Sequence, residues 1–168
     1  MRIDAADIRK LAVEFRKAIE EARVARCFDN DKMKDFPRGC CGDAADLLGE
    51  FLLNNGIIDL FYIFGTHYPC TGDDEADFQG IQSHAWISIG NPAKMDSVIV
   101  DITGDQFKYD SEYDRYDERV YVGKPDPFHR LFDVEKADVH EYHGIRGLGG
   151  AQERLYWLYD EITKRINN

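Results

Sequence analysis

An α+β fold is predicted from three observations. Apolar residues recur at helical spacing near both ends of the chain and again over residues 41–53. The β-branched and aromatic segments gather between residues 57 and 122. The two central ones are joined by a short turn, which makes them antiparallel neighbours. At 168 residues the chain suits one domain, 1–168, long enough to bury a core without disulfides or a structural metal.

The first helix is expected over residues 8–26, where Ile8, Leu11, Ala12, Phe15, Ala18, Ile19, Ala22 and Ala25 form one stripe and charged residues fill the rest. Pro37 and Gly39 interrupt regular structure just before a second helix from about Cys41 to Leu53, which Asn54-Asn55-Gly56 should close. Ile57 to Phe64 is almost wholly apolar, as a strand covered on both faces should be. Residues 65–83 form a long segment without periodicity, equally suited to a lid or to a solvated acidic excursion. Strands follow at His84–Ile89 and Val98–Thr103, then a tyrosine-rich polar stretch that suits a cleft mouth, and a short strand at Val120–Val122. Residues 124–150 are irregular, with Gly147–Gly150 reading as a link into a terminal helix marked by Leu155, Leu158, Tyr159, Ile162 and Ile166.

Composition narrows the function. Asp and Glu number 32 against 21 Lys and Arg, a formal charge of -11, so nucleic acid and anionic membranes would be approached against net repulsion. No window approaches the roughly 20 apolar residues of a membrane span, and Met1-Arg2-Ile3-Asp4 does not open a signal peptide, so a cytoplasmic location is expected, with export as an effector an alternative. The cysteines at 27, 40, 41 and 70 have no metal-ligand spacing, and His140 with His143 lacks a third ligand, so neither a metal nor a cofactor is expected.

The chemistry concentrates on Cys41, His84 and Asp101. Cys41 lies at a helix start, where unsatisfied N–H groups and the helix dipole favour a thiolate, and it shares the face of Ala44, Ala45, Leu48 and Leu52 while Cys40 points elsewhere. Strand alternation sets His84, Trp86 and Ser88 on one face and Ile99, Asp101 and Thr103 on another. If the wholly apolar sets share a face, His84 and Asp101 share the opposite one as cross-strand partners. A thiolate to attack a carbonyl, an imidazole to move its proton and a carboxylate to orient the imidazole are the requirements of thiol acyl transfer.

Residues 36–122 resemble the transglutaminase-like branch of the papain-like cysteine enzymes. Gly39-Cys40-Cys41-Gly42-Asp43-Ala44-Ala45 is similar to that family's nucleophile segment, His84-Ala85-Trp86-Ile87 to its histidine strand and Val100-Asp101-Ile102-Thr103 to its aspartate strand. The resemblance implies a helix bearing the cysteine packed on an antiparallel sheet bearing histidine and aspartate, with Cys41, His84 and Asp101 as a triad. Papain itself carries a glutamine shortly before its cysteine as an oxyanion donor, and here no glutamine precedes Gln79. Gln79, Gln82, Trp86 or Asn30 could take that part only if the fold brought it near. The function expected is a thiol-dependent hydrolase or acyltransferase acting on an amide of a protein, peptide or small molecule. The competing expectation is a catalytically inactive binding or regulatory module of the same architecture.

Overall fold

The computed structural model describes residues 4–68 and 81–166. They form three α-helices, α1 (Ala5–Val24), α2 (Cys41–Asn54) and α3 (Gly150–Ile166), and five strands, β1 (Leu60–His67), β2 (Gln82–Ile89), β3 (Val98–Asp101), β4 (Tyr121–Gly123) and β5 (Val139–Glu141). The strands make one antiparallel sheet in the order β4-β3-β2-β1-β5. The α+β class is thus as the sequence predicts.

Strand alternation divides the interior into two layers. Leu60, Tyr62, Ala85, Ile87 and Val100 face the helices and pack with Phe15, Ile19, Leu47, Leu48, Leu52, Leu158 and Ile162. Ile63, Trp86 and Ile99 point the other way, into an aromatic cluster with Phe107, Tyr113, Phe128 and Phe132. This second layer comes from the tyrosine-rich stretch and the irregular segment after β4. Tyr113, expected at a cleft mouth, is buried instead, stacked on Phe132 at 5.6 Å. Irregular chain can fill a layer because aromatic rings bury large areas without needing periodic spacing.

Where element boundaries depart from expectation, the cause is local. Helix α1 stops at Val24 because Arg26 adopts φ 61 and the Cys27 N–H turns back to the Ala22 carbonyl. Strand β1 begins three residues later than its apolar run. Gly56 (φ 80) donates to the Leu53 carbonyl and Ile57 to the Leu52 carbonyl, both at 3.0 Å, closing α2 with Ile57 buried against it. Asp59 (φ 63) then separates this cap from the strand. The short β5 is an addition, pairing Val139 with Ile63 and Glu141 with Phe61. The candidate lid falls chiefly on residues 69–80, outside the described residues.

Two further contacts position the site. Arg16 of α1, 4% exposed, grips Asp105 through two bonds of 2.7 and 2.8 Å and the Ile102 carbonyl at 2.9 Å, fixing the turn after β3. Tyr142 bonds the Asp46 carbonyl at 2.6 Å across Gly49, where a Cβ would meet its ring at 2.7 Å. No described helix is long and apolar enough to cross a membrane.

Candidate active site

The turn before α2 is tied at several points. Asp31 caps the Met33 N–H at 2.8 Å, Arg23 donates to the Phe36 carbonyl at 2.7 Å, and Gly39 takes φ 65, a conformation that favours glycine. Cys40 then lies outside the helix as its N-cap, and Cys41 is the first helical residue. Helical periodicity therefore governs Cys41 and says nothing about Cys40. Ala44, Ala45, Leu48 and Leu52 are buried as predicted, with Cys41 half-buried at the end of their stripe. Cys40 is the more deeply buried of the two, at 1% exposure.

Their environments push the two thiols in opposite directions. The Cys40 Sγ lies 3.3 Å from the Lys32 carbonyl and 3.2 Å from that of Arg38, so it donates, and burial pushes its pKa up to about 12. Burial also acts to raise the Cys41 pKa, but hydrogen bonding by His84, that ring's charge and the Ala85 N–H outweigh it, and the pKa is lowered.

His84 is fully buried, and its Nε2 lies 2.7 Å from Asp101 Oδ2. The ring is enclosed by Phe107, Phe128 and Phe132 with centroids 5.3, 5.7 and 5.4 Å away. With Nε2 committed to Asp101, Nδ1 is the nitrogen left for the thiol. Burial disfavours its charged form, yet the Asp101 charge, the Asp101 hydrogen bond and then Cys41 carry its pKa to about 9. The pKa shifts of the two groups favour a thiolate–imidazolium pair, whereas the Gln106 Nε2 group 3.2 Å from Nδ1 can only donate and so bonds the ring in its neutral form.

His84 and Asp101 do share a sheet face on neighbouring strands. They are not directly opposite, however. Ser88 pairs with Ile99, and the same register sets Trp86 across from Asp101, which makes His84 a diagonal neighbour. The offset leaves room for a longer reach, and the imidazole spans it.

Asp101 serves more than His84. Its Oδ1 accepts from the Thr103 N–H at 2.8 Å and Thr103 Oγ1 at 3.3 Å, while Oδ2 also faces His129 Nε2 at 3.1 Å. His129 Nδ1 lies 2.6 Å from Asp126 Oδ1. Since both ring nitrogens meet carboxylate oxygens, each must donate, and His129 is held as the imidazolium. Burial opposes that charge, but Asp101 and Asp126 raise the His129 pKa. Burial likewise pushes Asp101 up, and the two histidines hold it well below the usual carboxylate range. A series Cys41, His84, Asp101, His129, Asp126 results, its three central members buried and its shifted groups favouring signs that alternate outward from the helix.

His84, Asp101 and His129 also present one ligand atom each within 4.8 Å of one another, a geometry that could hold a metal ion. The atoms are already engaged: both histidines use the same Oδ2 as their acceptor, and Thr103 holds Oδ1. Hydrogen bonding accounts for the cluster without a cation. His140 and His143, the pair weighed from sequence, lie on and just beyond β5, and His143 is exposed.

No family model matches the chain, and no curated protein or solved structure matches it. The local geometry therefore carries the functional reading.

Of the oxyanion donors considered from sequence, Trp86 stands beside His84 with ring centroids 5.6 Å apart, and none of the described ones hydrogen-bonds to Cys41 or His84. Gln82 reaches toward Asp110 at 3.4 Å, Asn30 is exposed, Trp86 packs in the aromatic layer, and Gln79 lies outside the described residues. Gln106 is the glutamine that contacts His84. Its Nε2 is 3.2 Å from His84 Nδ1, and its Oε1 accepts from the Gly39 N–H at 3.3 Å, two residues before Cys41. Nothing in the polar run Gly104-Asp105-Gln106 marks this role; the Arg16–Asp105 pair confers it by fixing the turn. His129 had a weak signal in Asp126-Pro127-Phe128-His129, where an aspartate before proline favours a turn and its Oδ1 captures the His129 N–H at 2.9 Å.

Proposed function

We propose that this chain is a cysteine hydrolase or acyltransferase of the papain and transglutaminase type, with Cys41 as nucleophile, His84 as acid–base and Asp101 as the group that orients His84. The observation that carries this reading is a His84 ring held 2.7 Å from the buried Asp101 carboxylate, next to Cys41, whose thiol pKa that imidazole lowers.

In the proposed reaction the Cys41 thiolate attacks an amide carbonyl carbon and forms a C–S bond, while the carbonyl electrons move to oxygen. The Cys41 N–H, at the start of α2, supplies a hydrogen bond to that oxygen, and Gln106 Nε2 supplies a second on turning from His84 Nδ1. Collapse breaks the C–N bond, and the proton on His84 Nδ1 goes to the departing amine. A thioester on Cys41 remains. Water or a second amine, giving its proton to His84, attacks the thioester, releases the acyl group and restores the thiolate–imidazolium pair. Asp101 keeps the proton on Nε2 throughout, so Nδ1 is the nitrogen that exchanges it.

Alkylation with iodoacetamide, followed by intact mass and peptide mapping, tests the reading. The expected result is selective modification of Cys41 at pH 6–7, below the about 8.5 of an ordinary thiol, and its loss in His84→Ala. Slow, uniform labelling of the accessible cysteines, unchanged in His84→Ala, would overturn it in favour of an inactive module.

A further inference from the structure

The chain carries a formal charge of -11, yet the surface beside Gln106 is basic. A cavity of about 590 Å³ is walled by Arg23, Lys34, Arg38 and Lys108 together with Gln106. A second cavity, of about 450 Å³, shares Arg38, Gln106 and Tyr109 with the first. The two adjoin at Gln106, the residue 3.2 Å from His84 Nδ1, and together are termed the channel.

Among the described residues no carboxylate neutralises the four cations. Arg23 donates to a backbone carbonyl and Lys108 lies over the Tyr109 ring at 4.9 Å. Of the two acidic residues in the first cavity's wall, Asp105 is already held by two bonds from Arg16, which leaves Asp35 as the opposing charge. With 32 acidic residues available, such a group of unpaired cations around Gln106, which contacts His84, calls for an anionic visitor.

We propose that this channel binds peptides bearing carboxylates next to the amide that Cys41 attacks. The inference rests on the acyl-transfer reading above and adds its substrate class. A short acidic peptide fits better than a nucleic acid, because the positive strip is only as long as the two cavities, Asp110 borders the second of them, and the remaining surface repels a polyanion.

Two measurements test it separately from the chemistry. In the first, alkylation of Cys41 is compared between anionic iodoacetate and neutral iodoacetamide at low and high salt. The iodoacetate to iodoacetamide rate ratio is expected to fall at least about threefold on adding salt, and by a similar factor in the Arg38→Gln/Lys108→Gln double variant, as local positive potential is screened or removed. In the second, Cys41→Ala protein is titrated by fluorescence anisotropy with a glutamine peptide flanked by four glutamates, its counterpart flanked by four lysines, and a uridine homopolymer. The glutamate peptide should bind at least about tenfold tighter than the lysine peptide at low salt and lose that preference in the variant that also carries Arg38→Gln/Lys108→Gln. Equal binding of the two peptides, a salt-independent reagent ratio, or preference for the homopolymer overturns the proposal. Failure of both reagents to label Cys41 would instead sink the acyl-transfer reading, with the anisotropy arm still deciding the channel.

Discussion

Replacing Asp101 by Asn removes a charge and an acceptor while keeping the side chain's size. Burial alone would lower the His84 pKa, and the Asp101 carboxylate is the leading influence that carries it from 6.5 to about 9. At about 1.4 kcal/mol per tenfold, that interval corresponds to roughly 3 kcal/mol of preference for the imidazolium. Without the carboxylate the preference vanishes, and an asparagine amide can present N–H to Nε2, which puts the ring proton on the wrong nitrogen. Alkylation of Cys41 at pH 7 should fall at least about tenfold, and amide turnover, which also needs the proton donor, about a hundredfold or more.

A purely structural Asp101 would behave differently, and the cysteines distinguish the two cases. Asp101 also holds His129, so its loss weakens the fold by the few kcal/mol typical of a broken buried pair, roughly 3 to 5. Loosening would raise the labelling of Cys40, which is 1% exposed in the native fold, along with that of Cys41. Loss of imidazolium support slows Cys41 alone. The assay is residue-resolved alkylation at 25 °C alongside a thermal melt, and labelling of Cys41 that stays level or rises together with Cys40 would refute the orienting role.

Three other variants or conditions have defined outcomes. Cys41→Ala should abolish turnover with little change in melting temperature, because the half-buried thiol leaves a small void; Cys40→Ala should retain turnover and lose about 1 kcal/mol of stability from its buried sulfur, measured by urea unfolding. As pH rises through about 9, His84 loses the proton it must give to the leaving amine, so turnover should decline there while alkylation of Cys41 persists. The same raised pKa makes the charged ring's contribution to stability complete below about 6.5 and lost as pH climbs through about 9, which a pH series of urea melts would register. His129→Gln keeps a donor for Asp101 but removes a positive charge near His84, so the alkaline limb of turnover should move to higher pH; an unmoved limb at reduced stability would make His129 merely structural.

The sequence was most informative where physics is local. Strand phase placed His84 and Asp101 on one face because the wholly apolar sets of both strands must share the other, whereas which residues stand opposite depends on the turn between strands, and the structure makes them diagonal. Helical spacing identified the stripe from Cys41 to Leu52 but was silent on Cys40, which precedes the helix. Strand β1 was found but shifted, because Ile57 belongs by composition to the apolar run and by hydrogen bonding to the cap of α2. The residues that went unseen, Gln106 and His129, act through contacts 22 and 28 residues distant in sequence, and their positions follow from Arg16 holding Asp105 and from Asp126 capturing a turn.

Those distant contacts also explain why so much charge can be buried here. An isolated aspartate or imidazolium in an aromatic layer would neutralise itself by shifting its pKa. Asp101 stays charged because two histidines share its Oδ2 and Thr103 holds Oδ1, and His129 stays charged because Asp126 takes its other nitrogen. Asp126, 3.3 Å from the Tyr116 hydroxyl, marks the point where the series approaches the surface. The alternating signs then leave the final ring, His84, facing Cys41, a group that can be ionised to match it. On the proposed reading a Cys41 thiolate completes the series, and its counter-charge is maintained by residues on the far side of the sheet.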